Sequence, residues 1–245
     1  MVRIAVNGAA GRMGSRVLEL AAASEDFQVA GAFDEKKNKL SKDSLKGKGV
    51  LVDFSSPRGT LDALVSAQKA GWGLVVGTTG LDGETVNTLR AASKTIPIVR
   101  SSNMSVGVNL MLELTALAAA KLGKDFDIEV TEAHHRHKKD APSGTALMLA
   151  EAIANAKGWD LQKVLRYRQA GKSGAERPAR EIGLQVVRGG EIVGDHTVLF
   201  AGPAETIEIK HHAQSRDTFA RGALAAAEFI SKKKTGLFTM ADVLK

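Results

Sequence analysis

The chain contains no cysteine. Disulfides, thiolate metal sites and thiol nucleophiles are therefore excluded, and a cytoplasmic location fits. Aromatic residues make up only 4%, with one Tyr and two Trp. Its basic stretches lack the interleaved rings on which bases stack, so no nucleic-acid partner is expected despite the formal charge of +7. No apolar run approaches the roughly eighteen residues of a membrane span, and the N-terminus lacks the charged-then-apolar order of a secretory signal, so no membrane association is expected. What remains is ordinary for a soluble globular protein: 245 residues, 44% hydrophobic and 25% charged. That length buries a real core and suffices for two modest domains. The positive charge favours small phosphorylated or carboxylated ligands.

The first hundred residues alternate strand and helix. Val2, Ile4, Ala5 and Val6 form a strand, Gly8-Ala9-Ala10-Gly11-Arg12-Met13-Gly14 follows, and Val17, Leu18, Leu20 and Ala21 recur at helical spacing. Glycines in such a turn allow it to tighten and let backbone approach a pyrophosphate, which the helix start then holds. Glycines at 8, 11 and 14 depart from the commoner G-x-G-x-x-G, and a merely structural turn is the competing reading. A second strand from Gln28 to Phe33 ends at Asp34, twenty residues after Gly14, where a dinucleotide site places its ribose-binding acid. Asp34 and Glu35 would repel a 2′-phosphate, whereas Lys36, Lys37 and Arg12 would attract one. Many of the lysines between 36 and 48 read as a solvated loop. Strands at Val50–Phe54, Leu74–Val76 and Ile96–Val99 continue the alternation. Gly77-Thr78-Thr79-Gly80 and Ser101-Ser102-Asn103-Met104 follow two of them, at the edge where such sheets bind ligands.

The densest chemistry lies at Glu132-Ala133-His134-His135-Arg136-His137-Lys138-Lys139-Asp140, followed by Ala141-Pro142-Ser143-Gly144-Thr145. A metal site is disfavoured, since Arg136, Lys138 and Lys139 would repel a dication and no thiolate exists. An idle basic loop is the other alternative. Against it stands the helix that begins at Ser143, with Ala146, Leu147, Leu149, Ala150 and Ile153 at helical spacing. A helix N-terminus beside a cationic run reads as an anion clamp with an acid/base group next to it.

Beyond a helix from about Val106 to Leu122 the pattern changes. A strand leads into the His cluster, and Arg166 to Arg180 reads as a mobile loop. Then Ile182–Arg188, a Gly189-Gly190 turn, Glu191–Ala201 and Thr206–Lys210 read as an antiparallel open sheet joined by short turns. The expected fold is α/β: a Rossmann-like doubly wound parallel sheet plus a smaller α+β domain with a mixed or antiparallel open sheet. The division is 1–104 for dinucleotide binding, 105–213 for substrate binding and oligomerisation, and 214–245 as a C-terminal helix and tail returning to the first domain.

From Val2 to Leu244 the chain resembles the 4-hydroxy-tetrahydrodipicolinate reductase (dihydrodipicolinate reductase) family of lysine and diaminopimelate synthesis. The motifs that carry the resemblance run from Glu132 to Lys138 and from Asp140 to Thr145. They are joined by the Gly8–Gly14 turn, Gly77–Gly80, and Asn103-Met104-Ser105-Val106-Gly107-Val108-Asn109. The resemblance implies reduction with NADH or NADPH of a small cyclic imine carrying two carboxylates. It implies His134 as acid/base residue and Lys138 as a second proton donor, with His135, Gly144 and Thr145 on the substrate's carboxylates. Gly8, Ala9, Ala10, Gly11, Arg12 and Met13 would hold the pyrophosphate and Asp34 the adenosine ribose. Gly77, Thr78, Thr79, Ser101, Ser102, Asn103 and Met104 would line the nicotinamide side. A homotetramer built through the second-domain sheet is also implied, and no metal. Two departures bear on cofactor choice. The segment between Asp34 and Val50 is short, and Glu35 stands where members favouring NADPH often have Arg, so the charge balance leans towards NADH. Another NAD(P)-dependent reductase of a small dicarboxylate, or a non-enzymatic nucleotide-binding protein, explains less of the His cluster.

Overall fold

A computed structural model of the chain describes residues 1–41, 43–168 and 176–245. The elements run β1 (Val2–Asn7), α1 (Arg12–Ala22), β2 (Phe27–Phe33), β3 (Val50–Asp53), α2 (Pro57–Ala70), β4 (Gly73–Val76), α3 (Gly83–Ala92) and β5 (Pro97–Arg100). There follow α4 (Val106–Lys121), β6 (Asp127–His134), α5 (Gly144–Lys157), α6 (Leu161–Val164), β7 (Leu165–Tyr167), β8 (Ile182–Arg188), β9 (Asp195–Ala201) and β10 (Thr206–His212). The chain closes with α7 (Asp217–Ser231), β11 (Gly236–Phe238) and α8 (Met240–Val243). These elements form two compact units, one of Met1–Val106 with Arg216–Lys245, the other of Gly107–Ser215.

The first unit is a parallel sheet in the order β11-β5-β4-β3-β1-β2. Its central strands are apolar without interruption because both faces are covered. Successive residues point to opposite sides. Ile4, Val6, Val52, Val75 and Val99 pack with α1 and α7, whereas Ala5, Leu51, Leu74, Val76 and Ile98 pack with α2 and α3. Local signals set the helix ends. Ser56 accepts from the Gly59 amide at 3.1 Å ahead of Pro57, and Gly71 closes α2 at φ 67°. Such a cap is worth about 1 kcal/mol. Helix α7 approaches so closely that a Cβ at Gly222 would stand 1.7 Å from the Met104 carbonyl oxygen. The sixth strand, β11, pairs with β5 through three residues and was not read from the sequence.

The second unit is a five-stranded mixed sheet in the order β10-β9-β6-β8-β7. Strand β6 is parallel to β8 and antiparallel to β9. The expected hairpin across Gly189-Gly190 is thus not formed, because β6 lies between β8 and β9. The linking segment instead crosses the end of β6: the Gly189 amide donates to the His134 carbonyl at 3.0 Å and the His135 amide to the Ile192 carbonyl at 2.7 Å. Glu191–Gly194 belongs to that crossing, and β9 starts only at Asp195. Ile128, Val130, Ile182, Leu184, Val198 and Phe200 pack beneath α4 and α5. Val186, Val187 and Ile207 are left substantially exposed. Of the segment expected as a loop from Arg166 to Arg180, Arg166 and Tyr167 belong to β7, and 169–175 lie outside the described residues.

Candidate active site

In the first unit the glycine turn joins β1 to α1. Gly8 has φ +81°, in the left-handed region that favours glycine, and a Cβ there would stand 2.4 Å from the Phe54 carbonyl oxygen. A Cβ at Gly14 would stand 2.1 Å from the Gly8 oxygen, so the helix packs directly on the turn. Gly11 is the N-cap of α1 and supplies no side-chain hydrogen bond, leaving the helix start for an external acceptor. Gly8 and Gly11 line a cleft of about 400 Å³ together with Asn7, Asp34, Glu35, Lys36, Lys39, Ser55 and Arg58. Asp34 accepts from the Lys36 amide at 3.1 Å, and its own amide donates to the Asn38 carbonyl, folding the segment after β2 into a tight turn. Ala9 and Met13 pack on the core beside the turn, and Arg12 opens α1 from an exposed position.

Gly77, Thr78 and Thr79 follow β4 and Ser101, Ser102, Asn103 and Met104 follow β5, at the carboxyl edge of the sheet. Thr78 is buried, its hydroxyl donating to Asp53 at 2.8 Å and accepting from the Ser55 amide at 3.1 Å. The Met104 side chain is 2% exposed and belongs to the core. Ser101 donates to the Asn103 carbonyl at 2.6 Å, tying that loop to itself. The sequence reading missed Asp53. Fully buried at the end of β3, it accepts from Asn7, Ser55, Thr60 and Thr78 at 2.6–2.8 Å and knits the turns of this edge together.

In the second unit, Glu132 and His134 lie two apart on β6 and so share the face beneath the helices. Glu132 is 0% exposed. Its carboxylate accepts from His134 Nδ1 at 2.5 Å, from both Arg188 terminal nitrogens at 2.8 Å, and from the Ser143 amide at 3.0 Å. Burial pushes this carboxyl up, but Arg188, His134 and the Ser143 amide together hold it below the usual range. Burial lowers His134, with Glu132 opposing and Lys138 and Arg188 adding to the fall. Below it, the His196 ring packs edge-on at 5.2 Å between centroids, its Nε2 3.0 Å from the Ser143 hydroxyl. Burial, chiefly, brings His196 down to about 4.

Ser143 caps α5 by accepting from the Ala146 amide at 3.1 Å. Gly144 is exposed, with nothing within 4 Å of where its Cβ would be. Thr145 is the second residue of the helix. Lys138, half-buried, pairs with Asp140 at 2.8 Å and holds that carboxyl low. His135 has a buried Nδ1 without a hydrogen-bond partner among the described residues. His134, His135, Lys138, Gly144 and Thr145 therefore belong to one loop-and-helix cluster. Glu132 stood in the motif without an assigned role, while Arg188 and His196 reach the cluster from β8 and β9 and carry no local motif.

Family models decide the relationship. The N-terminal model of dihydrodipicolinate reductase matches residues 2–104 and the C-terminal model residues 107–244. The chain belongs to the dihydrodipicolinate reductase family. It is 46% identical over 263 aligned residues to the 4-hydroxy-tetrahydrodipicolinate reductase of Nitrosomonas europaea, covering 99% of this chain and 98% of that one. A reductase of the same name from Thiobacillus denitrificans is 44% identical over 99% of this chain and 98% of its own length. Dipicolinate-bound dihydrodipicolinate reductase from Paenisporosarcina sp. TG-14 has the same fold, with a TM-score of 0.76 at 22% identity over 98% of this chain and 97% of that one. For this member of the family, the glycine turn, the uncapped α1 start and the cleft beside Asp34 fit a nicotinamide dinucleotide. Among the described residues no group of three metal-binding side chains exists, and no helix is long and apolar enough to cross a membrane.

Proposed function

We propose that this chain reduces 4-hydroxy-2,3,4,5-tetrahydrodipicolinate to 2,3,4,5-tetrahydrodipicolinate, with loss of water, in lysine and diaminopimelate synthesis. The observation that carries this is the buried Glu132–His134 pair beside the exposed Gly144 at the start of α5, within a chain matched end to end by its family. NADH or NADPH, when bound, supplies a hydride. Gly8, Gly11 and the start of α1 would hold its pyrophosphate, with Ala9, Ala10, Arg12 and Met13 building the turn, and Asp34 its ribose. The segments Gly77–Thr79 and Ser101–Met104 would border the nicotinamide, mostly through backbone. Lys36 and Lys39 share the cleft with Asp34 and Glu35. This mixture supports use of both carriers, with NADH favoured.

The substrate brings two carboxylates. The start of α5 at Gly144 and Thr145, with His135, receives them, since backbone amides and the helix dipole offset negative charge. His134 then delivers the proton that balances the incoming electron pair, an effect worth about 10²–10⁴-fold in rate. Lys138 keeps the region positive and is the second donor. The assembly that goes with this reading is a cytoplasmic homotetramer formed through the five-stranded sheet, whose outer face leaves Val186, Val187 and Ile207 exposed.

The test is loss of near-ultraviolet absorbance of NADH and of NADPH when pure protein meets freshly generated substrate, with Kd for each carrier at fixed salt. Turnover is expected with both. No turnover overturns the function, and a strong preference for NADPH overturns the lean towards NADH. Light scattering on the eluted protein checks the tetramer.

A further inference from the structure

Glu132 has been given no contact with substrate or cofactor, yet among the described residues it is the most completely enclosed charge in the second unit. A carboxylate that receives both arms of a guanidinium and a backbone amide stays ionised and has no hydrogen to offer. The hydrogen between it and the His134 ring must then sit on Nδ1 of His134. On this geometry, in neutral His134, Nε2 carries the lone pair. The opposite side of the ring is kept open by another absence. A Cβ at Gly194 would stand 3.1 Å from His134 Nε2, although the backbone there does not require glycine. Any side chain at 194 would cover the nitrogen that Glu132 leaves available.

We infer that Glu132, clamped by Arg188 and the Ser143 amide, is a positioning residue that fixes the tautomer and direction of His134, with Gly194 keeping the reactive Nε2 uncovered. The inference deepens the reductase reading and rests on it for the identity of the proton acceptor, but not for the tautomer. Among the described residues four charged or titratable groups face His134: Glu132 from its own strand, Lys138 from the loop beyond, Arg188 from β8 and His196 from β9. Among these Glu132 alone favours the protonated ring. Without it, the protonated donor persists only to lower pH.

Long-range nitrogen–proton correlation on protein labelled at histidine nitrogens, with His134→Gln for assignment, reads the tautomer in the wild-type chain. The expected state is hydrogen on Nδ1. Hydrogen on Nε2, or a mixture of both, overturns the inference whether or not any variant folds. In Glu132→Gln, kcat should fall about 10²-fold and the descending limb of kcat against pH should move to lower pH. Kd for dipicolinate and for NADH should stay within about threefold, the pattern of a lost transition-state interaction. An unmoved limb with near-wild-type kcat overturns it, as does a loss confined to KM. In Gly194→Ala the tautomer should be unchanged while kcat falls, and full activity there removes Gly194 from the assignment. A wild-type chain that shows the tautomer but no turnover overturns the reductase reading and leaves the tautomer assignment standing.

Discussion

Acid should weaken this fold through His196 before it titrates most carboxylates. The ring is 4% exposed and lies beneath His134, with Nδ1 facing no partner among the described residues. Burial, with His134 adding to it, brings its pKa from 6.5 down to about 4. In the unfolded chain the ring takes up a proton near 6.5; in the fold it stays neutral until about 4. The unfolded state thus binds more protons throughout that window, and stability falls as pH falls through it. Above 6.5 the contribution is complete. Each unit below costs about 1.4 kcal/mol, so roughly 2 kcal/mol is lost by pH 5 and about 3 kcal/mol by pH 4, where the loss levels off. Urea titrations of the wild type and of His196→Gln at pH 7.5 and 5 read this directly. The amide retains a group to meet the Ser143 hydroxyl but cannot titrate. The variant should be less stable at pH 7.5 by about 1 kcal/mol and, being spared the roughly 2 kcal/mol that the wild type loses, should be the more stable chain by about 1 kcal/mol at pH 5. Losses common to both chains, from His134, His211 and the carboxylates, cancel in the comparison. Parallel curves, within about 0.5 kcal/mol, would refute the reasoning.

Gly14→Ala should cost about 1–3 kcal/mol and weaken NADH binding, because its methyl would meet the Gly8 carbonyl at 2.1 Å; thermal denaturation and quenching of protein fluorescence by NADH check both. Gly144→Ala should leave stability within about 0.5 kcal/mol, since its methyl would find open space. Substrate KM should nevertheless rise about tenfold if a carboxylate docks there, and an unchanged KM sinks that placement. His134→Ala and Lys138→Ala should each lose mostly kcat while NADH still binds, measured by steady-state kinetics and fluorescence; near-wild-type turnover in both removes those roles. Asp34→Ala should show the reverse, with weaker cofactor binding and intact dipicolinate binding by calorimetry.

Features written in contiguous residues were legible. The Gly8–Gly14 turn follows a strand and opens a helix, and the Glu132–Thr145 run carries its own helix cap, so each announces itself within a dozen or so residues. Strand order in the second unit was not legible. Neighbours in sequence suggested a hairpin across Gly189-Gly190, but pairing is decided by which faces are buried, and β6 takes the place between β8 and β9. The residues missed share that cause. Arg188 lies 56 positions from Glu132, and His196 lies 53 from Ser143. Asp53 read only as part of the Val50–Phe54 strand because its four donors come from Asn7, Ser55, Thr60 and Thr78, spread over separate turns.

Helix α7 and strand β11 complete a sheet whose other members come from the first hundred residues. As the chain leaves the ribosome, Ile4, Val6, Val52, Val75 and Val99 have only the partial cover of α1 on one side until Ala220, Ala223, Ala227 and Ile230 emerge. The second unit can settle while its predecessor waits. A polypeptide stalled near Ser215 therefore offers chaperones and proteases a half-covered greasy face, so the arrival of α7 and β11 becomes the last folding step of the nucleotide-binding half.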